Sequence, residues 1–245
     1  MLDEFSRSRI LLGSKSMDKL KTSRIAVFGV GGVGGFAVEA LARTGVGSFV
    51  LVDNDTVSLT NLNRQIIATR TAIGRPKIEV MKERILDINP HAKVELHQTF
   101  YLPENHDNLL EGCNYVVDAI DTVTAKIALV LEAKERNIPI ISCMGTGNKL
   151  DPTRFEIADI YDTSVCPLCR AMRQQLRRKG IDHLKVVYSQ EENVPREENP
   201  ELLSDSTKRQ TPGSVAYVPS VAGLILASEV IRDLTENLRP EKEPQ

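Results

Sequence analysis

A glycine-rich turn between a strand and a helix is the feature that most constrains the fold. Residues 24–28 (RIAVF) are a short β-branched and aromatic run, and the alanines and leucines after the turn recur at helical spacing. The turn between them holds Gly29, Gly31, Gly32 and Gly34. Glycines there allow a tight turn and bring backbone N–H groups toward a phosphate. Asp53 ends the next apolar run, where a carboxylate can bind ribose hydroxyls. This order predicts a nucleotide site for NAD, FAD or ATP.

Apolar runs and helical repeats alternate through the first 145 residues. Strands are expected over 24–28, 48–52, 93–98, 114–118 and 138–142, and helices over 76–88, near 104–111 and over 122–136. Strands that alternate with helices require crossover connections. The chain is therefore predicted to be an α/β protein with a doubly wound, Rossmann-like and mostly parallel sheet.

The pattern changes after Gly145. An antiparallel strand is expected over 153–162, a helix over 166–180 stopped by Gly180, a strand over 185–189, a mobile crossover loop over 190–213 and a closing helix over 219–236. No linker separates two domains. We expect one domain over 1–245, with a nucleotide-binding half over about 20–145 and a substrate and dimer half over about 146–238.

Composition excludes several classes of function. The net charge is −2, so no global basic field attracts nucleic acid. Aromatic residues are 4% of the chain and Trp is absent, which argues against a base-stacking surface. Four cysteines do not make a disulfide scaffold, so a cytoplasmic location is expected. The apolar run over 215–227 contains Pro219 and is too short to span a bilayer, so no integral membrane segment is expected.

The polar loop after the second strand narrows the choice of nucleotide. The segment 53–65 (DNDTVSLTNLNRQ) includes Asp55, Asn61 and Arg64, and Lys77 begins the next predicted helix. A triphosphate needs fixed cations against the charge on a leaving pyrophosphate, and Arg64 and Lys77 suit that role. Asn61 can bind a phosphate oxygen. An ordinary surface loop with helix-start charges explains the same residues and stays an alternative.

Asp121 follows the fourth parallel strand. Ligands of open α/β sheets lie beyond the carboxyl ends of the strands. A carboxylate there can hold Mg²⁺ together with phosphates. Because Asp121 precedes a predicted helix, an N-cap is the alternative role, and the two are compatible.

Cys166 and Cys169 form a single C-x-x-C pair, which is half of a structural zinc site. No second pair follows, so zinc is not expected and buried or incidental cysteines are favoured. A redox pair is also not expected, because no strand-to-helix active-site context precedes it.

The predicted helix that follows is basic. Its cations are Arg170, Arg173, Arg177, Arg178 and Lys179, and no acid interrupts residues 170–179. The first three share a face at i, i+3 and i+7 spacing. They could follow a phosphate backbone, although a solvated helix face is the ordinary explanation.

Taken together, the glycine turn, the 53–65 loop, Lys77 and the DAID segment at 118–121 resemble the ubiquitin-activating-enzyme-like adenylyltransferases. Within that superfamily the chain is similar to the tRNA threonylcarbamoyladenosine dehydratase group. The similar segments are Ser6-Arg7 upstream of LLG, ALARTGVGSFVLVD at 40–53, INPHAKV at 88–94, DAIDTVTAK at 118–126 and DPTRFEIADI at 151–160.

The resemblance implies a role for each site residue. Asp53 would bind the ATP ribose, while Asn61, Arg64 and Lys77 would line the triphosphate and Asp121 would coordinate Mg²⁺. Arg7 matches an arginine that reaches the partner protomer's nucleotide site, so a homodimer is implied. The basic helix then becomes a plausible tRNA contact.

The implied reaction is ATP-dependent ring closure of threonylcarbamoyladenosine in tRNA through an acyl-adenylate. The alternative is adenylation of the C-terminal Gly-Gly of a ubiquitin-like sulfur carrier. Such members usually carry paired C-x-x-C motifs, and some relatives have a crossover-loop cysteine, whereas residues 210–213 here read QTPG. We therefore do not expect covalent sulfur or thioester chemistry. A sulfur-transfer protein is considered as an additional partner. The remaining alternative functions are a non-catalytic nucleotide-binding scaffold and an NAD dehydrogenase.

Overall fold

The computed structural model describes residues 2–102, 108–195, 197 and 212–238. In chain order the elements are α1 (Ser6–Leu12), α2 (Ser14–Thr22), β1 (Arg24–Phe28), α3 (Gly34–Arg43), β2 (Ser48–Val52), α4 (Lys77–Ile88), β3 (Lys93–His97), β4 (Tyr115–Asp118), α5 (Val123–Glu135), β5 (Ile140–Cys143), β6 (Phe155–Asp159), α6 (Pro167–Arg178), β7 (Lys185–Ser189) and α7 (Tyr217–Thr235).

The strands form one seven-stranded sheet in the order β3-β2-β1-β4-β5-β7-β6. Every neighbouring pair is parallel except β6 with β7. The predicted Rossmann-like sheet with an antiparallel addition is therefore confirmed. Strand order reverses between β1 and β4. In such sheets ligands bind at the carboxyl ends of the strands beside this reversal.

Because both faces of the sheet are covered, the strands have unbroken apolar sequences. On β1, Ile25 and Val27 belong to the core on one face, and Ala26 and Phe28 belong to the core on the other. Residues of a strand point alternately to its two faces, and helices cover both faces here. Each position therefore has to be apolar.

Strand register determines which residues meet at the carboxyl edge. Phe28 is paired with both Val52 and Asp118, so β1, β2 and β4 end at the same level. The chain leaves these strands through the glycine turn, through Asp53 and through the loop that carries Asp121. Three loops distant in sequence are thereby brought to one site.

Some predicted elements differ from the structure. A helix near 104–111 is wrong for its described part, because 108–112 form turns and both Asn108 (φ 52°) and Gly112 (φ 67°) are left-handed. The strand predicted over 153–162 ends at Asp159, whose carboxylate accepts the Tyr161 N–H and starts a short 3₁₀ turn. Much of the predicted crossover loop, at 196 and 198–211, lies outside the described residues.

No helix among the described residues is long and apolar enough to cross a membrane.

Candidate active site

A cavity of about 480 Å³ opens at the carboxyl edge of the sheet, beside the strand reversal. Its wall is formed by the glycine turn and by the loops after β2, β4 and β5. The predicted site residues that line it are Gly29, Gly31, Gly32, Asp53, Asp55, Asn61, Arg64, Lys77 and Asp121. Predictions made from separate motifs thus converge on one cavity.

The glycines of the turn serve different purposes. Gly29 has φ +86°, and a Cβ there would lie 2.6 Å from the Ala119 oxygen. A Cβ on Gly34 would lie 1.8 Å from the Gly29 oxygen. Gly34 does not line the cavity, and its role is to let the start of α3 approach the end of β1. Gly31 does line it, and a Cβ there would meet only the Gln65 amide, at 3.7 Å.

Asp53 joins the end of β2 to the glycine turn. Its carboxylate accepts the Val30 N–H at 2.6 Å and the Asp55 N–H at 2.8 Å. Burial raises the pKa of Asp53, while Lys77 and the two backbone hydrogen bonds act in the opposite direction. Each carboxylate oxygen can accept a further hydrogen bond, so binding a ribose hydroxyl is compatible with this arrangement.

Two cations line the cavity. Lys77 is buried at the start of α4 and donates to Asp55 at 2.7 Å, with two ammonium hydrogens left for other acceptors. Arg64 donates to the Thr60 carbonyl at 2.9 Å and to the Asn63 side chain at 3.0 Å. Burial lowers the pKa of Arg64. No acidic side chain within the described ranges pairs with Arg64, so its charge is free for an anionic ligand.

Asn61 is oriented by the loop that contains it. Its side-chain oxygen accepts the Ser58 N–H at 3.1 Å, as part of a capping box on a short 3₁₀ turn. That contact leaves the amide NH₂ group as the donor available to a phosphate oxygen.

Asp121 is exposed at the rim of the cavity, and the Thr122 hydroxyl donates to it at 3.3 Å. The N-cap of α5 is Thr122, so the capping role considered for Asp121 is wrong. Among the described residues no group of three or more His, Cys, Asp or Glu side chains is arranged to hold a metal. Mg²⁺ in nucleotide sites is commonly bound by one or two carboxylates together with substrate phosphates. Asp121 fits such a shared site.

Sequence reasoning missed two residues beside this cavity. Lys126 is fully buried and donates to Asp118 at 3.0 Å and to the Cys143 carbonyl at 2.7 Å. It thereby fixes the carboxyl ends of β4 and β5. Gln65 lines the cavity, and its buried side-chain oxygen has no hydrogen-bond partner in the described part of the chain. A lysine on the apolar face of α5 was the available signal for Lys126, and the Asn-Arg-Gln segment was the signal for Gln65.

Arg7 does not line this cavity. It is exposed on α1, a helix that buries none of its residues. The hydrophobic side chains of Leu2, Ile10 and Leu11 are 91%, 80% and 80% exposed.

The basic helix α6 does not present all its cations to solvent. Arg173 donates to the Ile160 and Thr163 carbonyls at 3.1 and 2.9 Å, and also to the Thr163 hydroxyl. Arg177 lies over the Tyr161 ring at 5.1 Å. The cations that are exposed and have no such contact among the described residues are Arg170, Arg178 and Lys179. Two of the three arginines predicted to share a nucleic-acid-binding face, Arg173 and Arg177, therefore already make contacts within the protein.

The fold and this cavity define a doubly wound α/β protein of the nucleotide-binding class. The chain belongs to the ThiF family, which it matches over residues 5–245.

Its relatives include the tRNA threonylcarbamoyladenosine dehydratase of Bacillus subtilis (strain 168), which is 45% identical over 97% of both chains. Crystal structures of the Escherichia coli tRNA N6-threonylcarbamoyladenosine dehydratase are also similar. The complex with AMP has a TM-score of 0.87 at 32% identity and covers 96% of this chain and 94% of that one. The complex with ATP has a TM-score of 0.84 at 34% identity with the same coverage.

Proposed function

We propose that this protein is an ATP-dependent tRNA threonylcarbamoyladenosine dehydratase, which cyclises the modified base and releases AMP and pyrophosphate. The observation that carries the proposal is that Arg64, Lys77 and Asp121 all line one cavity at the glycine turn. The near full-length similarity to a dehydratase of that name supports the choice of substrate.

In the first step an oxygen of the threonyl carboxylate attacks the α-phosphorus of ATP, and pyrophosphate leaves. The carboxylate is a poor electrophile, and adenylation gives it a leaving group. The glycine turn that precedes α3 would bind phosphate oxygens through its backbone N–H groups. Arg64 and Lys77 neutralise the negative charge that develops on the departing pyrophosphate.

Asp53 would bind the ribose, and Asn61 would donate to a phosphate oxygen. Asp121 would hold Mg²⁺ together with the triphosphate, and the ion would supply further charge neutralisation there. Asp55 already holds the Lys77 ammonium at 2.7 Å, so we assign it a supporting contact at the nucleotide site.

In the second step a urea nitrogen of the same side group attacks the activated carbonyl. A five-membered hydantoin closes and AMP departs. Because this attack is intramolecular, it requires positioning more than a strong nucleophile, and no catalytic cysteine is needed.

We further propose that the protein acts as a homodimer in which Arg7 enters the partner's nucleotide site. Its exposure and its separation from the cavity of its own protomer agree with this role. The exposed side chains of Leu2, Ile10 and Leu11 on the same segment suit an interface between two copies.

For tRNA we propose three exposed cations of the α6 region as phosphate contacts: Arg170 in the first turn, Arg178 at the last position of the helix and Lys179 at its C-cap. A tRNA substrate would place the reaction in the cytoplasm, and a sulfur-transfer protein could be an additional partner. The alternative function is adenylation of a sulfur-carrier protein, which would use the same ATP residues.

ATP–pyrophosphate exchange and AMP release separate these functions. We expect both to depend on tRNA that carries threonylcarbamoyladenosine. Arg64→Ala and Asp121→Ala should abolish AMP formation while the circular dichroism spectrum remains unchanged. Dependence on a small carrier protein would instead select the alternative, and normal turnover in both variants would refute the site.

A further inference from the structure

Asn148 lies in the loop that follows β5, and it binds two segments that are far from each other in the chain. Its carbonyl accepts the Val194 N–H at 2.9 Å. Its own N–H donates to the Gly213 carbonyl at 2.8 Å, and its side-chain oxygen accepts the Gly213 N–H at 2.8 Å. One residue thus joins the segment that follows β7 to the segment that precedes α7.

Neighbouring residues of the same loop hold both segments as well. Lys149 is buried and donates to the Glu191 carbonyl at 2.6 Å, while the Glu191 carboxylate accepts the Leu150 N–H at 2.9 Å. On the other side of Asn148, a Cβ on Gly147 would lie 2.6 Å from the Pro212 Cβ. The loop after β5 therefore packs closely on both segments, and Asn148 stands between the two sets of contacts.

The backbone conformation of Asn148 suits this double contact. Its φ is 56°, in the left-handed region that asparagine adopts more readily than most residues with a side chain. In this conformation Asn148 meets Gly213 with both its main chain and its side chain. Glycine would keep the backbone conformation and would lose only the side-chain acceptor.

The segment held by Asn148 forms the side of the cavity next to β5. Pro212 and Ser214 line the cavity together with residues 145–147, whereas Asn148 itself does not line it. The proposed nucleotide contacts come from the loops after β1, β2 and β4, and β5 is the next strand beyond β4 in the sheet. A nucleotide held by those three loops leaves the β5 side of the cavity for the acceptor.

We propose that Asn148 is a positioning residue for the acceptor carboxylate. By holding residues 212–214 at the cavity wall, it shapes the side from which that carboxylate reaches the α-phosphorus, and it does so without touching ATP. The inference rests on the proposed function for the identity of the acceptor. It adds a residue outside the cavity that acts on the acceptor and not on the nucleotide.

Two variants of Asn148 and one control test this role. Asn148→Gly removes the side-chain acceptor, and Asn148→Asp keeps an acceptor for the Gly213 N–H. Asn137→Gly is the matched control, because Asn137 is also left-handed (φ 54°) but is exposed after α5 and does not line the cavity. Steady-state AMP formation is measured at saturating ATP, with the concentration of tRNA that carries threonylcarbamoyladenosine varied. Calorimetry gives the Kd for ATP, and thermal unfolding checks that each variant is folded.

In Asn148→Gly we expect kcat/KM for the tRNA to fall about tenfold, which is the scale of one hydrogen bond, while the Kd for ATP stays within about twofold of wild type. The loss is not complete, because Asn63 still donates to the Ser214 carbonyl at 2.9 Å. Asn148→Asp and Asn137→Gly should stay within about twofold of wild type in both measurements.

A purely structural role would weaken tRNA turnover and ATP binding together, and that result would overturn the positioning role. An unchanged kcat/KM in Asn148→Gly, or equal losses in Asn148→Gly and Asn148→Asp, would overturn it as well. If the wild-type protein bound ATP but formed no AMP with this tRNA, the proposed function would fail and the role of Asn148 with it. Normal wild-type turnover with unchanged Asn148→Gly kinetics would overturn only the role of Asn148.

Discussion

Lys126→Met tests whether the buried ion pair with Asp118 holds the active-site edge of the sheet together. Both side chains are 0% exposed, and the lysine also donates to the Cys143 carbonyl at 2.7 Å. The substitution leaves a buried carboxylate with the Ile120 N–H as its remaining hydrogen-bond donor among the described residues. Removing one partner of a buried pair costs about 3–5 kcal/mol. For a chain of this size that corresponds to a Tm lowered by roughly 6–20 °C.

Urea unfolding followed by circular dichroism measures this loss, with an m-value expected to stay constant. Lys134→Met is the matched control, because Lys134 also lies on α5 and pairs with an aspartate, Asp182. Those side chains are 50% and 87% exposed, so the control should cost less than about 1 kcal/mol. Adding Asp118→Asn to Lys126→Met should recover part of the loss. Equal losses of under about 1 kcal/mol in the two lysine variants would refute the reasoning.

Gly34→Ala should destabilise the fold by about 1–3 kcal/mol or more, because its Cβ would lie 1.8 Å from the Gly29 oxygen. Gly31→Ala should fold normally and bind ATP weakly. Thermal unfolding should therefore detect the Gly34 change, and calorimetry should detect the Gly31 change. Equal thermal stability of the two variants would contradict the structural role of Gly34. Arg173→Ala should cost about 1.5–3 kcal/mol in urea unfolding, because three acceptors on the 160–163 segment lose a charged donor. Arg170→Ala should stay within about 0.5 kcal/mol of wild type and weaken tRNA binding in a salt-dependent way; tRNA binding that does not change would remove Arg170 from the interface.

Much of the fold could be predicted from sequence because buried parallel strands leave a strong signal. The runs at 24–28, 48–52 and 185–189 have the predicted bounds. The helices α1 and α2 gave little signal. The first buries no residue, and the second has only two apolar side chains, Met17 and Leu20, so its buried face is too short to show a repeat over several turns. Their placement depends on contacts that a local pattern does not contain.

The same distinction holds for the site. Motif residues such as Arg64 and Lys77 could be assigned to the cavity, because strand ends determine where their loops lie. Lys126 could not be assigned to the edge of this cavity from sequence. Its role depends on a hydrogen bond to a carbonyl on β5 that is 17 positions away in the chain, which no local pattern reveals. The inward direction of Arg173 also depends on a tertiary contact, with the 160–163 segment. Composition shows a basic helix but does not show which of its cations are already engaged.

The central claim is that a tRNA carboxylate is joined to AMP in this cavity, and an oxygen-isotope experiment tests it most directly. Threonylcarbamoyladenosine tRNA with ¹⁸O in the threonyl carboxylate is incubated with the protein, ATP and Mg²⁺, and the products are analysed by mass spectrometry. An acyl-adenylate that cyclises must leave one carboxylate oxygen on phosphorus, so the released AMP should carry one ¹⁸O. Unlabelled AMP, or ¹⁸O in orthophosphate together with ADP, would contradict the account.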